Sequence, residues 1–393
     1  MKNKFSKDAK LFLSIQMLFA LSTALSATFV NVYMWRLTSD LRYIGVYNIV
    51  VYAFTPITFV LSGKIARKKG ITTCTRLGIL GYLMFYLLIL LLRESVKDYL
   101  IPLGALFGCG MGFYYFGNNT LIYHYTEQNN RGYYLGVSGA LGSVMGTLAP
   151  IVSGWIIISK QALQGYYIVF IVSFILFLAA IALSNFLHQE KIEGKFEFKS
   201  ILISKKDRQW RKILVSSLIL GFRDGALGYI VSILIFIAFK NELNMGKFTT
   251  LTSLLAILSS YIIGRYYRKS LANQLFFIGS VMCFVSTVVL VMWTNYTGVF
   301  INGVLTAVFT CFWNIPLGTL VYDIAGKRAS KSNNMGDYMI VREIPTAVGR
   351  IASILLYIIV SRSFMDATAI KIILPFLSFM IIINFIYLRK SNM

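Results

Sequence analysis

The sequence predicts an all-α polytopic membrane protein of twelve transmembrane helices in two six-helix halves, with both termini cytoplasmic. Three observations carry this. Apolar runs long enough to cross a bilayer recur along almost the whole chain, basic residues collect in alternate connections, and two short motifs return about 200 residues apart. Of the 393 residues, 57% are hydrophobic and 13% charged, against roughly 25% charged in a soluble domain. That composition excludes an ordinary cytosolic enzyme, a disordered tail and a disulfide-stapled secreted domain. Cys74, Cys109, Cys283 and Cys311 fall inside apolar runs without metal-like spacing and read as buried thiols.

A hydrocarbon core about 30 Å thick takes roughly 20 apolar residues as a helix. Span one, 11–35, is too long for a secretory leader and lacks a small-residue cleavage pattern, so it is a retained helix. Span two, 43–63, stops at a Gly-plus-basic turn. Span three, 71–92, begins near Arg76, a cation placed to snorkel to the interface. Spans four to six cover 99–124, 132–158 and 165–187. The basic segment 188–212 then separates an N-terminal half, 1–187, from a C-terminal half, 213–393. The second half contains spans at 213–238, 247–267, 271–294, 298–323, 337–360 and 367–388. No connection is long enough for a soluble catalytic domain, so the chain is not expected to be an enzyme.

The net charge of +23 sets the orientation. Of the 38 basic residues, 25 fall on the side of the N-terminus, nine on the opposite side and four inside spans. Basic residues concentrate on the cytoplasmic side of membrane proteins, which places both termini there, in a bacterial plasma (inner) membrane. The charge therefore marks topology and not nucleic-acid binding.

Long-period similarity supports a six-plus-six duplication. Gly63-Lys-Ile-Ala-Arg-Lys-Lys69 after span two returns as Gly264-Arg-Tyr-Tyr-Arg-Lys-Ser270 after span eight. Thr120-Leu-Ile-Tyr-His124, preceded by Phe113-Tyr114, returns as Thr319-Leu-Val-Tyr-Asp323, preceded by Phe312-Trp313.

Twelve spans, two halves, a central basic loop and a Gly-plus-basic turn after span two resemble the major facilitator superfamily of transporters. The resemblance covers essentially the whole chain. In that family the turn reads Gly-x-x-x-Asp-Arg/Lys-x-Gly-Arg/Lys. Gly63, Lys68 and Gly70 stand in register here, while Arg67 replaces the acid. Asn129-Asn-Arg131-Gly132 resembles the family's turn before span five. Phe29-Val-Asn-Val-Tyr-Met-Trp-Arg-Leu37 is similar to the YQGE-type transporter branch of Gram-positive bacteria. Span five partly matches the exporters' Gly-x8-Gly-x3-Gly-Pro-x2-Gly-Gly. Gly136, Ala149-Pro150 and Ser153-Gly154 are in register, and Met145 replaces one glycine. The resemblance implies a major facilitator-like fold working by alternating access, with Gly63, Lys68, Gly70, Arg131, Pro150 and Gly154 in gating roles. Two readings of the span-five residues stand side by side: an exporter's hinge at Pro150, or close helix packing through small residues.

Ionisable residues inside spans are costly and mark functional positions. Span seven contains Gly221-Phe-Arg-Asp-Gly225, with Asp224 as a proton-titrating candidate and Arg223 as a substrate-binding one. Adjacent helix positions point about 100° apart, so the two need not pair. Span eleven offers Glu343 as a second proton-coupling residue and Arg342 as a second cation for substrate, with Asp337, Pro345 and Arg350 alongside. The alternative for both acids is a fixed ion pair. Asp323 and His124, repeat-matched, are placed to contact the basic turns, and Asp323 is assigned to gating. Tyr114, Asn118 and Asn119 in span four, with Trp313 and Asn314 in span ten, form an aromatic and amide cluster for substrate, since substrates bind near the midplane between repeats.

These residues predict a secondary transporter without cofactor or metal, whose partners are a small-molecule substrate, protons and membrane lipids. A monomer suffices, since one chain houses a complete pathway. The leading expectation is proton-driven export of an amphipathic organic compound. The alternatives are proton-coupled uptake of a small polar or anionic metabolite, and a lipid translocator or non-transporting sensor on the same fold.

Overall fold

The computed structural model describes residues 5–127, 130–161, 163–191, 207–332 and 335–389. Twelve long helices take up nearly all of them: α1 (Lys7–Thr38), α2 (Leu41–Lys69), α3 (Ile71–Leu92), α4 (Leu100–Tyr125), α5 (Arg131–Ile158), α6 (Gln164–Ser184), α7 (Arg208–Phe239), α8 (Glu242–Tyr266), α9 (Ala272–Met292), α10 (Tyr296–Ser332), α11 (Met335–Ser363) and α12 (Asp366–Arg389). Twelve helices are long and apolar enough to cross a membrane, and they follow the expected spans in order. Among the described residues there is no strand. Residues 192–206 of the expected 188–212 linker, and Asn129 of the turn before α5, lie outside the described residues.

Several helices outrun their apolar runs because polar residues cap them. The Ser6 hydroxyl accepts the Ala9 N–H at 3.0 Å and starts α1. α1 ends at Ser39, whose φ of 50° is left-handed and whose N–H reaches the Trp35 carbonyl at 2.8 Å. This geometry closes off a helix C-terminus. About 200 residues later α7 ends the same way, at Lys240 with φ 64° and its N–H 3.0 Å from the Phe236 carbonyl. The next helix is capped alike in both places. Asp40 accepts the Arg42 N–H at 2.8 Å, and Asn241 accepts the Asn244 N–H at 2.8 Å. The Arg42 guanidinium also hydrogen-bonds Asp40 and holds its carboxyl below the usual range, although partial burial opposes this.

The helices fall into two compact units. One holds α1–α6 with Asn241–Thr250 at the start of α8; the other holds α7, α8 from Leu251, and α9–α12. The pairings of the first unit recur in the second, six helices on. α1 packs on α5 and α6 as α7 packs on α11 and α12, and α3 packs on α4 and α6 as α9 packs on α10 and α12.

Lipid gives helices little hydrophobic reason to associate, so contact depends on small residues that let backbones approach. A Cβ on Gly78 of α3 would collide with the Tyr114 backbone of α4. In the second unit a Cβ on Gly279 of α9 would lie 2.7 Å from the Phe312 Cβ and 2.9 Å from the Trp313 nitrogen. Serines repeat too. The Ser153 hydroxyl of α5 donates to the Leu25 carbonyl of α1 at 2.8 Å, while Ser353 of α11 accepts the Ala226 N–H of α7 at 3.1 Å. The first unit then fills with a cluster of aromatic rings in edge-on, tilted and stacked contacts around Phe19, Tyr82, Tyr86 and Phe177. The second buries Trp210, Phe276, Trp313, Ile381 and Phe385.

The described end of the linker is tied down in the second unit. The Asp207 carboxylate caps α7 by accepting the Trp210 N–H at 3.0 Å and is gripped by the guanidinium of Arg328 on α10, one bond being 2.6 Å. Partial burial pushes this carboxyl up, but the Arg328 and Trp210 hydrogen bonds outweigh it and hold it below the usual range.

Two outcomes follow. Gly78→Val or Gly279→Val lowers the thermal midpoint of the detergent-solubilised protein, with an overpacking cost of about 1–3 kcal/mol. Gly136→Ala does not lower it, because its Cβ would meet nothing within 4 Å. Asp207→Asn destabilises by about 1 kcal/mol at pH 7. A carboxyl with a depressed folded value stabilises above its unfolded value of about 3.9 and loses that contribution as pH falls through the folded one. Melting curves of the two proteins therefore converge below about pH 4.

Candidate functional site

In the first unit the polar residues join through Gln16. Its amide donates to the Asn118 side-chain oxygen at 2.7 Å, and its own oxygen accepts the Tyr134 hydroxyl at 2.7 Å and the Ser138 hydroxyl at 3.4 Å. This ties α1, α4 and α5 by neutral groups alone. Asn119 is exposed and points away from that network, as expected for the next helix position. Tyr114 is buried, its ring stacked on Phe19 with centroids 3.3 Å apart, so it sits in the aromatic core.

The second unit carries charge instead. Arg223 and Asp224 of α7 pair at 2.7 Å even though they are sequence neighbours, since the long arginine side chain folds round the helix. The Arg223 side chain is 9% exposed and that of Asp224 43%. The guanidinium also lies over the Trp313 ring of α10, 5.4 Å from its centroid, a cation–π arrangement. Gly221 and Gly225, which flank the pair, sit where a Cβ would collide with the backbone at Thr346 and Arg350 of α11. The charged stretch of α7 is thereby pressed directly on α11. There Glu343 pairs with Arg350 at 3.0 Å, about two helical turns along the same face. Arg342 donates to the Ser217 hydroxyl of α7 at 3.0 Å and, among the described residues, forms no ion pair. Asn314 is exposed beside buried Trp313, and Asp337 is buried in the first turn of α11.

The gating candidates sit at helix ends. Gly63 supplies the carbonyl that Arg67 grips at 2.9 Å, and Lys68 is exposed. Gly70 takes φ +97° between α2 and α3, a conformation open to glycine. The turn is covered by the chain after α6: the Ile71 N–H donates to the Glu190 carbonyl at 2.6 Å. His124 stands 3.8 Å from Glu190. In the repeat-matched place Asp323 pairs with Lys269 at 3.1 Å. Arg131 donates to the Thr126 hydroxyl at 3.0 Å and lies 4.1 Å from the Tyr123 ring centroid. Arg76 donates twice to the Ser184 carbonyl, at 3.2 and 2.8 Å, closing the end of α6.

Gly154 and Pro150 of α5 meet the start of α8 within the first unit. A Cβ on Gly154 would lie 2.9 Å from the Leu243 Cα, and one on Gly246 would strike the Pro150 carbonyl. The Thr250 hydroxyl donates to the Thr147 carbonyl at 2.7 Å. A methyl added at Gly142 or Gly146, on the same helix, would meet nothing within 4 Å, so close packing explains Gly154 but not these two.

Sequence reasoning missed Tyr134, Ser217 and Glu242. Glu242 is 3% exposed and bound by Arg36 and Tyr166. Its signal was available, since Asn241 is a good helix cap that begins α8 ahead of the apolar run.

The profile of the Major Facilitator Superfamily matches residues 11–350. The Bacillus subtilis (strain 168) protein YqgE is 29% identical over 356 residues, which cover 90% of this chain and 83% of that protein. Among solved structures, a POT family transporter in complex with a thioalcohol conjugated peptide superposes with TM-score 0.75 at 13% identity, covering 98% of this chain and 96% of that one. The nucleoside transporter NupG superposes with TM-score 0.72 at 13% identity, covering 97% and 100%. At such identities the structural likeness speaks for the fold, and the profile match over most of the sequence supplies the family. The chain belongs to the Major Facilitator Superfamily and is a multi-pass membrane transporter.

Proposed function

We propose that the protein is a proton-coupled exporter of an amphipathic organic compound, working by alternating access in a bacterial plasma membrane with both termini cytoplasmic. The observation that carries the proton coupling is the Arg223–Asp224 pair, 2.7 Å apart inside α7, with the acid 43% exposed and the arginine resting on Trp313. A carboxylate beside an arginine stays ionised, and loses that support when the arginine is drawn away. A substrate group that engages Arg223 or Trp313 therefore promotes protonation of Asp224, and a proton on Asp224 releases Arg223. Glu343 and Arg350, 3.0 Å apart, repeat the arrangement on α11. Competition of this kind links substrate and proton through one free energy. Export is supported by the Pro150, Ser153 and Gly154 pattern of α5. The Gln16–Asn118 network and Asn119 and Asn314 supply neutral polar groups for the solute.

A second reading, uptake of a small anionic metabolite with protons, is favoured by Arg342. Its guanidinium meets the Ser217 hydroxyl at 3.0 Å and leaves donors for an anion.

Reconstituted protein with an imposed pH gradient tests both readings. Gradient-driven movement of an amphipathic dye is expected in wild type, and Asp224→Asn or Glu343→Gln is expected to cut it at least about tenfold, ~1.4 kcal/mol of coupling. Undiminished gradient-driven movement in both variants overturns the assignment. For an anionic substrate, Arg342→Gln raises KM about tenfold while Ser217→Ala changes it little.

A further inference from the structure

The later turns of α8 carry an apolar, aromatic and basic surface that the proposed coupling and substrate groups leave unused. Leu254, Leu258, Tyr261 and Arg265 follow one another at steps of four, three and four residues, which lines them up on one face of the helix. All four are exposed, the first three by more than half. At 1.5 Å per residue the stripe is about 16 Å long. That is close to half of a hydrocarbon core about 30 Å thick, so the stripe is one leaflet deep.

Its polar end is ordered. Arg265 donates to the Tyr261 hydroxyl at 3.3 Å, and exposed Tyr266 beside it supplies a ring suited to the membrane interface. Lys269 is neutralised by Asp323 at 3.1 Å. Arg265 and Arg268 are exposed and, among the described residues, have no carboxylate partner, so the excess positive charge is theirs. The first copy of this turn is closed instead. Gly63 is buried and Arg67 is folded back on its carbonyl. Gln189 lies against Gly70, and the Ile71 N–H and Thr72 hydroxyl donate to the Glu190 and His188 carbonyls at 2.6 and 2.9 Å. Gly264 of the second copy is exposed, and a methyl there would meet nothing within 4 Å.

We propose that this stripe binds one anionic phospholipid, its phosphate received by Arg265 and Arg268 and an acyl chain laid along Leu258 and Leu254. Charge and length together select that occupant. Guanidinium groups take phosphate oxygens through paired, charge-assisted hydrogen bonds, and juxtamembrane cations favour anionic headgroups. A soluble phosphate ester has no use for an apolar row one leaflet deep, and a zwitterionic lipid leaves the charge of two arginines unanswered. The site lies wholly in the second unit, which holds α8 from Leu251. It depends neither on Asp224 and Glu343 nor on the direction of transport.

Photolabelling of the full-length protein in phosphatidylcholine vesicles tests it. A trace of phosphatidylglycerol with a photoactivatable acyl chain is expected to label residues 254–262 at least about tenfold more than the same trace of labelled phosphatidylcholine. Arg265→Gln combined with Arg268→Gln removes that preference. Lys64→Gln combined with Lys69→Gln, at the closed turn of the first unit, keeps it, and excess glycerol 3-phosphate does not compete. Equal labelling by the two lipids, a preference that survives in the double arginine variant, or competition by glycerol 3-phosphate overturns the proposal. A stripe left unlabelled because a second copy covers it, read as a cross-linked dimer, overturns it too. The wild-type comparison of the two lipids decides the matter should a variant fail to fold.

Discussion

In hydrocarbon no water replaces a lost backbone hydrogen bond, so each crossing segment must satisfy its own peptide groups. That constraint makes every span a helix, and the rest of the structure follows from how helices without a hydrophobic incentive hold together. They do so where side chains are absent or small. Gly78 admits the Tyr114 backbone and Gly279 the Trp313 backbone. Ser153 and Ser353 each add a hydrogen bond across a helix pair. These approaches fix the heights of Tyr114 and Trp313 in their units and so decide which rings face a core and which face a charge.

With the scaffold set, each arginine inside a span needs a polar partner close to where it stands. A buried ion left alone costs several kcal/mol. Arg76 is satisfied by the carbonyl that ends α6, Arg223 and Arg350 by carboxylates on their own helices, and Arg342 by a hydroxyl. Neutral amides serve the corresponding part of the first unit, where Gln16 gathers Asn118 and Tyr134. The two units thus share helix pairings and differ in chemistry.

The number, order and type of spans were legible because bilayer thickness sets their length, and the repeat was legible in Gly63 and Gly264 because each turn combines a glycine with several cations. Helix ends were less so. Ser39 and Lys240 end α1 and α7 through backbone torsion, which leaves no compositional trace at a serine or a lysine. The site was legible as residue types but not as partners. The angle between adjacent helix positions left open whether Arg223 and Asp224 pair or diverge, and side-chain length brings them together. Tyr114 was grouped with the amides by proximity along α4, whereas its ring is stacked on Phe19 within the aromatic core. Glu242 escaped notice because the apolar run begins after it, and only the cap at Asn241 extends the helix back to include it.

The comparison of α5 with α11 takes this one step further. At a spacing of 200, Gly142 stands where α11 has Arg342, Pro150 where it has Arg350, and Ser153 where it has Ser353. In both copies the serine ties its helix to the neighbour, Ser153 as donor to the Leu25 carbonyl of α1 and Ser353 as acceptor of the Ala226 N–H of α7. The other two positions differ. A methyl at Gly142 would touch nothing. At 150 and 350 only the backbone is approached, by Gly246 and by Gly225, which leaves the Arg350 side chain to reach Glu343 along its own helix. A position whose backbone is closely approached can still carry different side chains, proline in one copy and a cation in the other, because a glycine of the neighbouring helix makes the approach. A duplicated bundle can therefore acquire ionisable chemistry in one half without disturbing the contacts that hold it together. Under the proposed proton coupling such pairs suit exchange, since Asp224 and Glu343 keep part of their surface exposed. A partly hydrated ion pair is weaker than a dry one, and only a pair that breaks at modest cost can be remade in every transport cycle.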